Sequence, residues 1–324
     1  EIVLSFPSLS NGGTEEMVAF RAAALSFACL AAVSAVKPTG QNVMSEEFAV
    51  PTKTSSFNTE ALLNEASESQ LRTLHTKPSQ KLGVYVISLK ERLEHVNNFL
   101  EGMELMDTAT VVDATLAATI DPESMRESGK MSPECELSLG EVACAMSHES
   151  IFESFLNSSL KYALVFEDDA VLNETLFTSL KRERKESSVD LLERIAKTSD
   201  ELGWEVLNLG RCFDRCHMDE VQKALTVDGS INIVKPFQPY CTHAYMVSRA
   251  GAQRLLELHN PITDAEDRYR VAAHRLGQLT NWAISPRLFV QDRDDDLQVG
   301  ALHEEQVVQP ECWTFKYARE HPDV

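Results

Sequence analysis

Tyr162–Leu172 reads YALVFEDDAVL, in which three adjacent acidic residues separate two apolar runs. The first run is uncharged and bounded by charged residues, which predicts a buried strand at Tyr162–Phe166. That strand would end at Glu167, Asp168 and Asp169. Adjacent carboxylates beside a buried strand repel one another, so their placement costs free energy unless a cation compensates them. The stretch therefore predicts a core strand that ends in a cluster of acids.

Strands and helices alternate on both sides of this stretch, which predicts an α/β fold with a mostly parallel central sheet. Further strands are predicted at Leu82–Leu89, Thr108–Val112, Trp204–Leu209, Ser230–Pro236, Ala244–Ser248 and within Trp282–Val290. Helices are predicted at Glu91–Leu105, Ser138–Asn157, Val189–Leu202 and Ala250–His259. Ligands of such sheets bind at the carboxyl ends of the strands, where the acid cluster would lie.

The helix that precedes the acidic strand has a local start signal. Ser138-Leu139-Gly140-Glu141 has the form S-x-x-E and stands before an apolar run. In this capping box the Ser138 and Glu141 side chains satisfy backbone N–H groups that a helix start leaves without partners.

The composition bounds the class of function. The chain has 324 residues, 43% hydrophobic and 25% charged, with a formal net charge of -20. This length suits one large domain or two small ones, plus a tail, and the composition is ordinary for a globular protein. Such negative charge disfavours binding to nucleic acid or to anionic lipid. A nucleotide ligand remains compatible, because Mg²⁺ or Mn²⁺ held by carboxylates can bind a diphosphate. The competing interpretation of the acids is a solvated turn.

The N-terminal part is predicted to lie outside the folded domain. Ala22–Val36 is an uncharged run that follows Arg21 and ends in small residues, which favours a secretory signal or short signal anchor within residues 1–36. A transit peptide and a buried helix are the alternatives. Residues 37–80 are polar and predict a stem or linker, so the domain would occupy residues 81–324. This organisation predicts the lumen of the endoplasmic reticulum or Golgi, or secretion.

The seven cysteines favour an oxidising compartment. Cys29 lies in the N-terminal apolar run, which leaves an even number in the rest of the chain. Disulfides among Cys212, Cys216 and Cys241 are predicted over a zinc site built on Arg211–His217, because a second well-spaced ligand pair is missing. We expect Cys144 to be a buried small hydrophobe on its helix.

Five strings resemble, in order along the chain, motifs of glycosyltransferase family 25. They are VISLKER (Val86–Arg92), LSLGEVACAMSH (Leu137–His148), LVFEDDAVL (Leu164–Leu172), HAYMVSRAGAQRLL (His243–Leu256) and ISPRLFVQ (Ile284–Gln291). The family includes collagen hydroxylysine galactosyltransferases and lipooligosaccharide galactosyltransferases. The resemblance implies a GT-A-like, Rossmann-type nucleotide-sugar transferase domain that uses UDP-galactose with Mn²⁺, or with Mg²⁺ in its place.

The resemblance also implies roles for individual residues. The metal ligands would be Asp168, Asp169 and His303, although the ending ALHEEQ around His303 departs from the family pattern. The donor-binding residues would be Arg92, Asp113, Ser147, His148 and Glu167. The residues acting on the acceptor hydroxyl would be Asp264 and Asp267. Structural roles compete with three of these: Arg92 on the surface, His148 bridging helix and sheet, and Asp264 as a helix N-cap.

The sequence thus predicts a metal-dependent enzyme that moves a hexose, galactose first, from a UDP-sugar to a hydroxyl of a protein or glycan acceptor. One alternative is a non-catalytic module with the same fold that binds a glycan or a protein. Another is an interaction protein stabilised by zinc at Arg211–His217.

Overall fold

The computed structural model describes residues 81–292 and 311–312. The predicted extension at 1–36, the linker at 37–80 and His303 lie outside the described residues. Among the helices of the described part, none combines the length and the apolar character that a membrane span requires.

Strands and helices alternate along most of the described chain. In the first half they are β1 (Leu82–Ser88), α1 (Leu93–Gly102), β2 (Ala109–Asp113), α2 (Pro122–Glu127), α3 (Leu139–Asn157), β3 (Tyr162–Glu167), β4 (Ala170–Leu172), α4 (Glu174–Arg184) and α5 (Ser188–Ser199). In the second half they are β5 (Val206–Cys212), β6 (Glu220–Ala224), β7 (Asn232–Lys235), β8 (Tyr240–Ser248), α6 (Arg249–Leu258), α7 (Glu266–Arg275), β9 (Asn281–Ser285) and β10 (Phe289–Gln291).

The central sheet has eight strands in the order β2-β1-β3-β8-β5-β9-β7-β6. Strands β1, β2 and β3 are mutually parallel, and β5 is parallel to β9. Strand β8 runs antiparallel to both of its neighbours, and β7 runs antiparallel to β6 and β9. Apart from β7 and β8 the strands share one direction, so the predicted α/β class with a mostly parallel sheet is confirmed.

Helices cover both faces of the sheet because alternate residues of each strand point to opposite sides. Val84 and Val86 of β1 join a core with α1, α4 and α5, whereas Tyr85 and Ile87 join a core with α3, α6 and α7. The second small sheet pairs β4 with β10 in antiparallel fashion and follows directly from the acidic end of β3.

A local sequence signal explains where α3 begins, the helix that carries Ser147 and His148. Ser138 is the N-cap of α3, its Oγ accepts from the Glu141 N–H, and the Glu141 carboxylate accepts from the Ser138 N–H at 2.9 Å. The predicted capping box is therefore confirmed. Helices α2, α4 and α7 and strands β4 and β6 were not predicted, and β8 begins at Tyr240 rather than at Ala244.

Candidate active site

The acid cluster lies at the carboxyl end of three parallel strands. Residue pairing places Ile87 beside Glu167 and Ser88 beside Asp113, so β1, β2 and β3 end together. The chain then passes through Asp168 and Asp169 into β4. This edge is the one at which sheets of this class bind ligands.

Glu167 is held on one carboxylate oxygen and free on the other. Its Oε1 lies 3.1 Å from His148 Nε2 and accepts a short hydrogen bond from Thr242 Oγ1. Its Oε2 is buried and has no hydrogen-bond partner. Burial alone would raise the pKa of Glu167, but the hydrogen bonds from His148 and Thr242 outweigh burial and lower it. Glu167 is therefore poised as an anion.

Asp168 is tied to the strand-to-helix connection after β1. The Leu89 N–H donates to Asp168 Oδ2 at 2.9 Å, and Arg92 Nε lies 3.5 Å from Oδ1. Arg92 Nη2 also donates to the Asp168 carbonyl oxygen at 3.3 Å. Burial raises the pKa of the Asp168 carboxyl, and the positive charge of Arg92 partly offsets this increase.

Asp169 carries the second free oxygen. Gln291 Nε2 donates to Asp169 Oδ2 at 2.7 Å, while Oδ1 is buried without a hydrogen-bond partner. Burial, followed by the negative charge of Glu167, raises the pKa of Asp169 well above its usual range. The acid cluster therefore holds more negative charge than its protein neighbours compensate.

The donor set of this cluster fits a hard divalent cation. Two buried carboxylate oxygens, Glu167 Oε2 and Asp169 Oδ1, have no protein partner, and Asp168 stands between these residues in sequence. Oxygen ligands are those that Mg²⁺ and Mn²⁺ prefer, and a cation would relieve the repulsion that raises the pKa of Asp169. Of the three predicted metal ligands, Asp168 and Asp169 are placed together, and His303 lies outside the described residues.

The predicted donor-binding residues fall into two groups. Arg92, His148 and Glu167 are in direct contact with the acid cluster or belong to it. Ser147 is buried, donates to the Ala143 carbonyl oxygen and accepts from the Thr115 N–H at 2.9 Å, so it fixes the chain just after β2. Asp113 ends β2 with an exposed carboxylate 3.8 Å from Lys90 Nζ.

The two predicted acceptor-side acids lie at the start of α7 and differ in surroundings. Asp264 is partly exposed, and its Oδ1 accepts from Arg268 Nε at 2.6 Å. It is not the N-cap of α7, because that position belongs to Ala265. Asp267 is buried, and its Oδ2 accepts from the Cys241 N–H at 3.2 Å. Asp267 is thus connected to the acid cluster through Thr242, the residue after Cys241.

Two polar residues at the cluster were not predicted. Thr242 reaches Glu167 because β8 runs antiparallel to β3, which brings the first residues of β8 beside the end of β3. No local pattern marks it. Gln291 reaches Asp169 through the pairing of β10 with β4. Its only signal is its place at the end of the string ISPRLFVQ.

The cysteines near the site form two disulfides, Cys212–Cys241 and Cys216–Cys312. Disulfide bonding of Cys212, Cys216 and Cys241 is confirmed, but the partner of Cys216 is Cys312, which the prediction placed outside the set. With its thiols paired in this way, Arg211–His217 does not supply a zinc site. Cys144 is only half-buried, and its Sγ lies near His148 and Glu167, so the expectation of a buried hydrophobe is wrong.

Comparison with known proteins gives matches that centre on the described domain. Residues 81–270 match the profile of glycosyltransferase family 25 (LPS biosynthesis protein). The chain is 31% identical over 196 residues to the Homo sapiens protein named inactive glycosyltransferase 25 family member 3, covering 56% of this chain and 30% of that protein. It is 26% identical over 204 residues to Mus musculus procollagen galactosyltransferase 2, covering 58% and 30%. The chain therefore spans about 30% of the length of these curated relatives.

A solved structure, the protein A197 from STIV, covers 66% of this chain and 87% of its own length at 12% identity. Its TM-score is 0.33, a value that supports no argument about the site.

Proposed function

We propose, because this chain belongs to glycosyltransferase family 25, that it transfers a hexose, galactose first, from a UDP-sugar to a hydroxyl of a protein or glycan acceptor. The observation that carries the proposal is the buried cluster of Glu167, Asp168 and Asp169, which leaves two carboxylate oxygens without a protein partner. The cluster lies inside the part of the chain that matches the family.

The cluster would hold Mn²⁺ or Mg²⁺ through Asp168 and Asp169, with Glu167 beside them. A divalent ion there supplies Lewis-acid stabilisation of the UDP that leaves the sugar. Arg92 adds a positive charge next to Asp168, and a guanidinium there would help to bind the diphosphate of the donor. Ser147 keeps the connection after β2 in place and so shapes the same edge of the sheet.

On the acceptor side we favour Asp267 over Asp264. Asp267 is buried and attached to the start of β8, next to Thr242 in the cluster. Asp264 is more exposed, and its carboxylate pairs with Arg268. A carboxylate near the acceptor hydroxyl can orient it or accept its proton. Replacing each by Asn should therefore lower transfer much more at Asp267 than at Asp264.

We also place the protein in the lumen of the secretory pathway. The two disulfides support an oxidising compartment, since thiols of cytosolic proteins are kept reduced.

Release of UDP by the purified full chain tests the activity. A panel of UDP-sugars would be incubated with Mn²⁺ or with EDTA, and UDP would be measured over time. We expect release from UDP-galactose that requires the metal. Asp169→Asn should reduce it at least about 100-fold, because the metal contributes several kcal/mol of charge stabilisation.

Asp107→Asn is the matched control, since Asp107 is exposed and stands before the amino end of β2, away from the acid cluster. It should leave release unchanged. Near-normal release by Asp169→Asn would remove the acid cluster from the mechanism.

A second candidate function is a non-catalytic domain that binds a sugar nucleotide or a glycan. The name of the Homo sapiens relative, inactive glycosyltransferase 25 family member 3, favours this candidate. Calorimetric titration with UDP and Mn²⁺ separates the two. Binding without release from any donor, with an acceptor panel present, would favour the non-catalytic domain.

A further inference from the structure

We propose that Arg270 and Tyr245 are positioning residues that hold His148 in one tautomer and, through it, orient the carboxylate of Glu167. This inference rests on the function proposed above, because the orientation matters for a ligand at the acid cluster.

Four buried side chains form a continuous line of hydrogen bonds. Arg270 Nη2 lies 3.0 Å from the Tyr245 hydroxyl oxygen, which lies 2.8 Å from His148 Nδ1. His148 Nε2 lies 3.1 Å from Glu167 Oε1. Arg270 belongs to α7, Tyr245 to β8, His148 to α3 and Glu167 to β3. Three elements from distant parts of the sequence thus converge on the end of the acidic strand.

The direction of these hydrogen bonds follows from what each group can donate. A guanidinium has no acceptor, so Arg270 donates to the Tyr245 oxygen. The Tyr245 O–H then donates to His148 Nδ1, because pointing elsewhere would leave a buried hydroxyl proton without an acceptor. With Nδ1 as acceptor, the ring proton is on Nε2, which donates to Glu167. Burial raises the pKa of Tyr245, which keeps its donating proton in place.

The far end of the line is anchored. Glu266 forms an ion pair with Arg270 one helical turn away, and Glu266 Oε2 lies 3.4 Å from His259 Nδ1. The Arg270 guanidinium also lies over the ring of Tyr245, 4.2 Å from its centroid. These contacts leave the guanidinium little freedom to turn away from Tyr245.

Stability alone does not explain this arrangement. Arg270 and Glu266 are 2% and 3% exposed, and Nε and Nη1 of Arg270 have no hydrogen-bond partner. Apolar side chains of similar volume often stabilise a fold as well as such a buried ion pair does. The line does accomplish one thing that apolar residues could not: it sets which nitrogen of His148 carries the proton.

The consequence for Glu167 is a defined orientation. His148 and Thr242 both bond to Oε1, so Oε2 is the oxygen left for a ligand. In the other tautomer the lone pair of His148 Nε2 would face the carboxylate and repel it. Removing residues that hydrogen-bond to metal ligands, without binding the metal themselves, typically changes metal affinity or activity 10–100-fold.

The tautomer of His148 can be read in the metal-free protein by long-range ¹H–¹⁵N NMR of histidine rings in the full chain. His148→Gln identifies the signal. We expect the ring proton on Nε2, and in Tyr245→Phe a shift of the Nδ1 and Nε2 signals towards a tautomer mixture. Tyr162→Phe is the matched control, because Tyr162 is also buried, but its hydroxyl donates to Asp200 at the end of β3 opposite to Glu167. A proton on Nδ1 in the wild type, or equal spectra in both tyrosine variants, would overturn the proposal.

Kinetics give the second readout. Tyr245→Phe should lower metal-dependent UDP release about 10–100-fold and raise the Mn²⁺ concentration needed for half-maximal rate, whereas Tyr162→Phe should stay within about 2-fold. Arg270→Lys, which keeps a donor, should retain more activity than Arg270→Met. Equal rates for the two tyrosine variants would remove the positioning role.

The two proposals fail in different ways. A wild-type chain that releases no UDP but shows the expected tautomer would contradict the proposed function and leave the tautomer assignment standing. Normal UDP release with the wrong tautomer would do the reverse. If Tyr245→Phe did not fold, the wild-type spectrum would still decide whether the ring proton is on Nε2.

Discussion

At the scale of single residues, the acid cluster contains buried carboxylate oxygens whose charge no protein group compensates. Asp169 is buried, lacks a partner on Oδ1 and faces the charge of Glu167. The pKa of Asp169 is higher in the folded protein than in the unfolded chain. At pH values between these two pKa values, the folded protein keeps a proton on Asp169 that the unfolded chain has lost. The stability that this proton provides is complete below about pH 4 and is lost as pH rises through the folded pKa.

Asp169→Asn should therefore stabilise the metal-free protein. In EDTA at pH 8 we expect a gain of about 1–3 kcal/mol in the free energy of unfolding, because the substitution removes a buried, partly unsatisfied charge. At pH 4 the gain should shrink. Urea unfolding at the two pH values measures it. As a control, saturating Mn²⁺ should raise the melting temperature of the wild type but not of the variant. A loss of stability at pH 8 would contradict the account.

Gly210 lies where the ring of His243 packs directly against the backbone of β5. A Cβ at this position of β5 would lie 2.1 Å from His243 Nε2, and His243 is fully buried on the adjacent strand β8. Burial lowers the pKa of His243 to about 4, so its ring stays neutral at the pH of most compartments. The histidine ring therefore occupies the space that a side chain at Gly210 would need.

Gly210→Ala should destabilise the fold by about 1–3 kcal/mol, the usual cost of overpacking a core. Gly102→Ala is the control, since nothing lies within 4 Å of the Cβ at that helical position, and it should be neutral or slightly stabilising. Chemical denaturation of both variants gives the comparison. Equal stabilities would show that His243 can move aside at little cost.

At the scale of elements, α3 connects a local folding signal to the site. It begins at the capping box of Ser138 and Glu141 and carries Ser147 and His148 further along its length. Most of its remaining buried residues are apolar, so packing holds its central turns. The cap and the site residues thus occupy different parts of the same helix.

Ser138→Ala should cost about 1 kcal/mol of stability, because the Glu141 N–H at the start of α3 loses the acceptor that the Ser138 hydroxyl provides. UDP release should be unchanged, since central turns of the helix hold His148. Thermal unfolding and the release assay check the two statements. Ser187→Ala, which removes the cap of α5, should show a similar loss. A fall in activity only for Ser138→Ala would mean that the cap sets the position of His148.

Strand β8 is the element that the site shares with the core. It contributes Thr242 to Glu167, His243 to the packing on Gly210, and Tyr245 to His148. Its residues Ala244, Met246 and Val247 are fully buried in the sheet. Changes at the polar positions of β8 therefore bear on both function and packing. Tyr245→Phe limits the effect on packing, because it removes only a hydroxyl group.

At the scale of the whole molecule, residues 311–312 are fastened to the connection after β5. Cys216 bonds to Cys312, and Asp214 forms a parallel bridge with Cys312. The fully buried Arg211 pairs with three acids, Asp214, Asp219 and Glu311. A covalent bond and a buried ionic cluster thus secure the same attachment across 96 residues of sequence.

Breaking this disulfide should lower stability by about 2–4 kcal/mol, since a bond that closes a long loop constrains the unfolded chain most. Cys216→Ser, Cys312→Ser and the double variant should lose the same amount, because each removes one bond. Denaturation of the three variants under oxidising conditions tests the pairing. Additive losses would show that the two cysteines act separately.

Much of the fold could be predicted because its signals are local. The strand ending at Glu167, the capping box of α3 and the amphipathic α5 follow from apolar spacing and turn chemistry within a few residues. Helix α7 was not predicted because its buried face includes Glu266, Asp267, Tyr269 and Arg270, so it lacks an apolar pattern. Periodicity cannot distinguish such a face from a solvated one, since the partners that bury it lie elsewhere in the chain.

The candidate site also combines features that the local sequence predicts with features that depend on contacts between distant residues. The sequence by itself determined that three carboxylates stand at a strand end, that the family is glycosyltransferase family 25, and that cysteines of this region are paired. Only the tertiary structure decided that Thr242, Gln291 and Tyr245 serve that cluster, and that Cys216 joins Cys312. The antiparallel course of β8 and the pairing of β10 with β4 place these groups, and such contacts join residues tens of positions apart. Hydrophobic burial over the whole sheet selects that pairing, and no short stretch of sequence contains it.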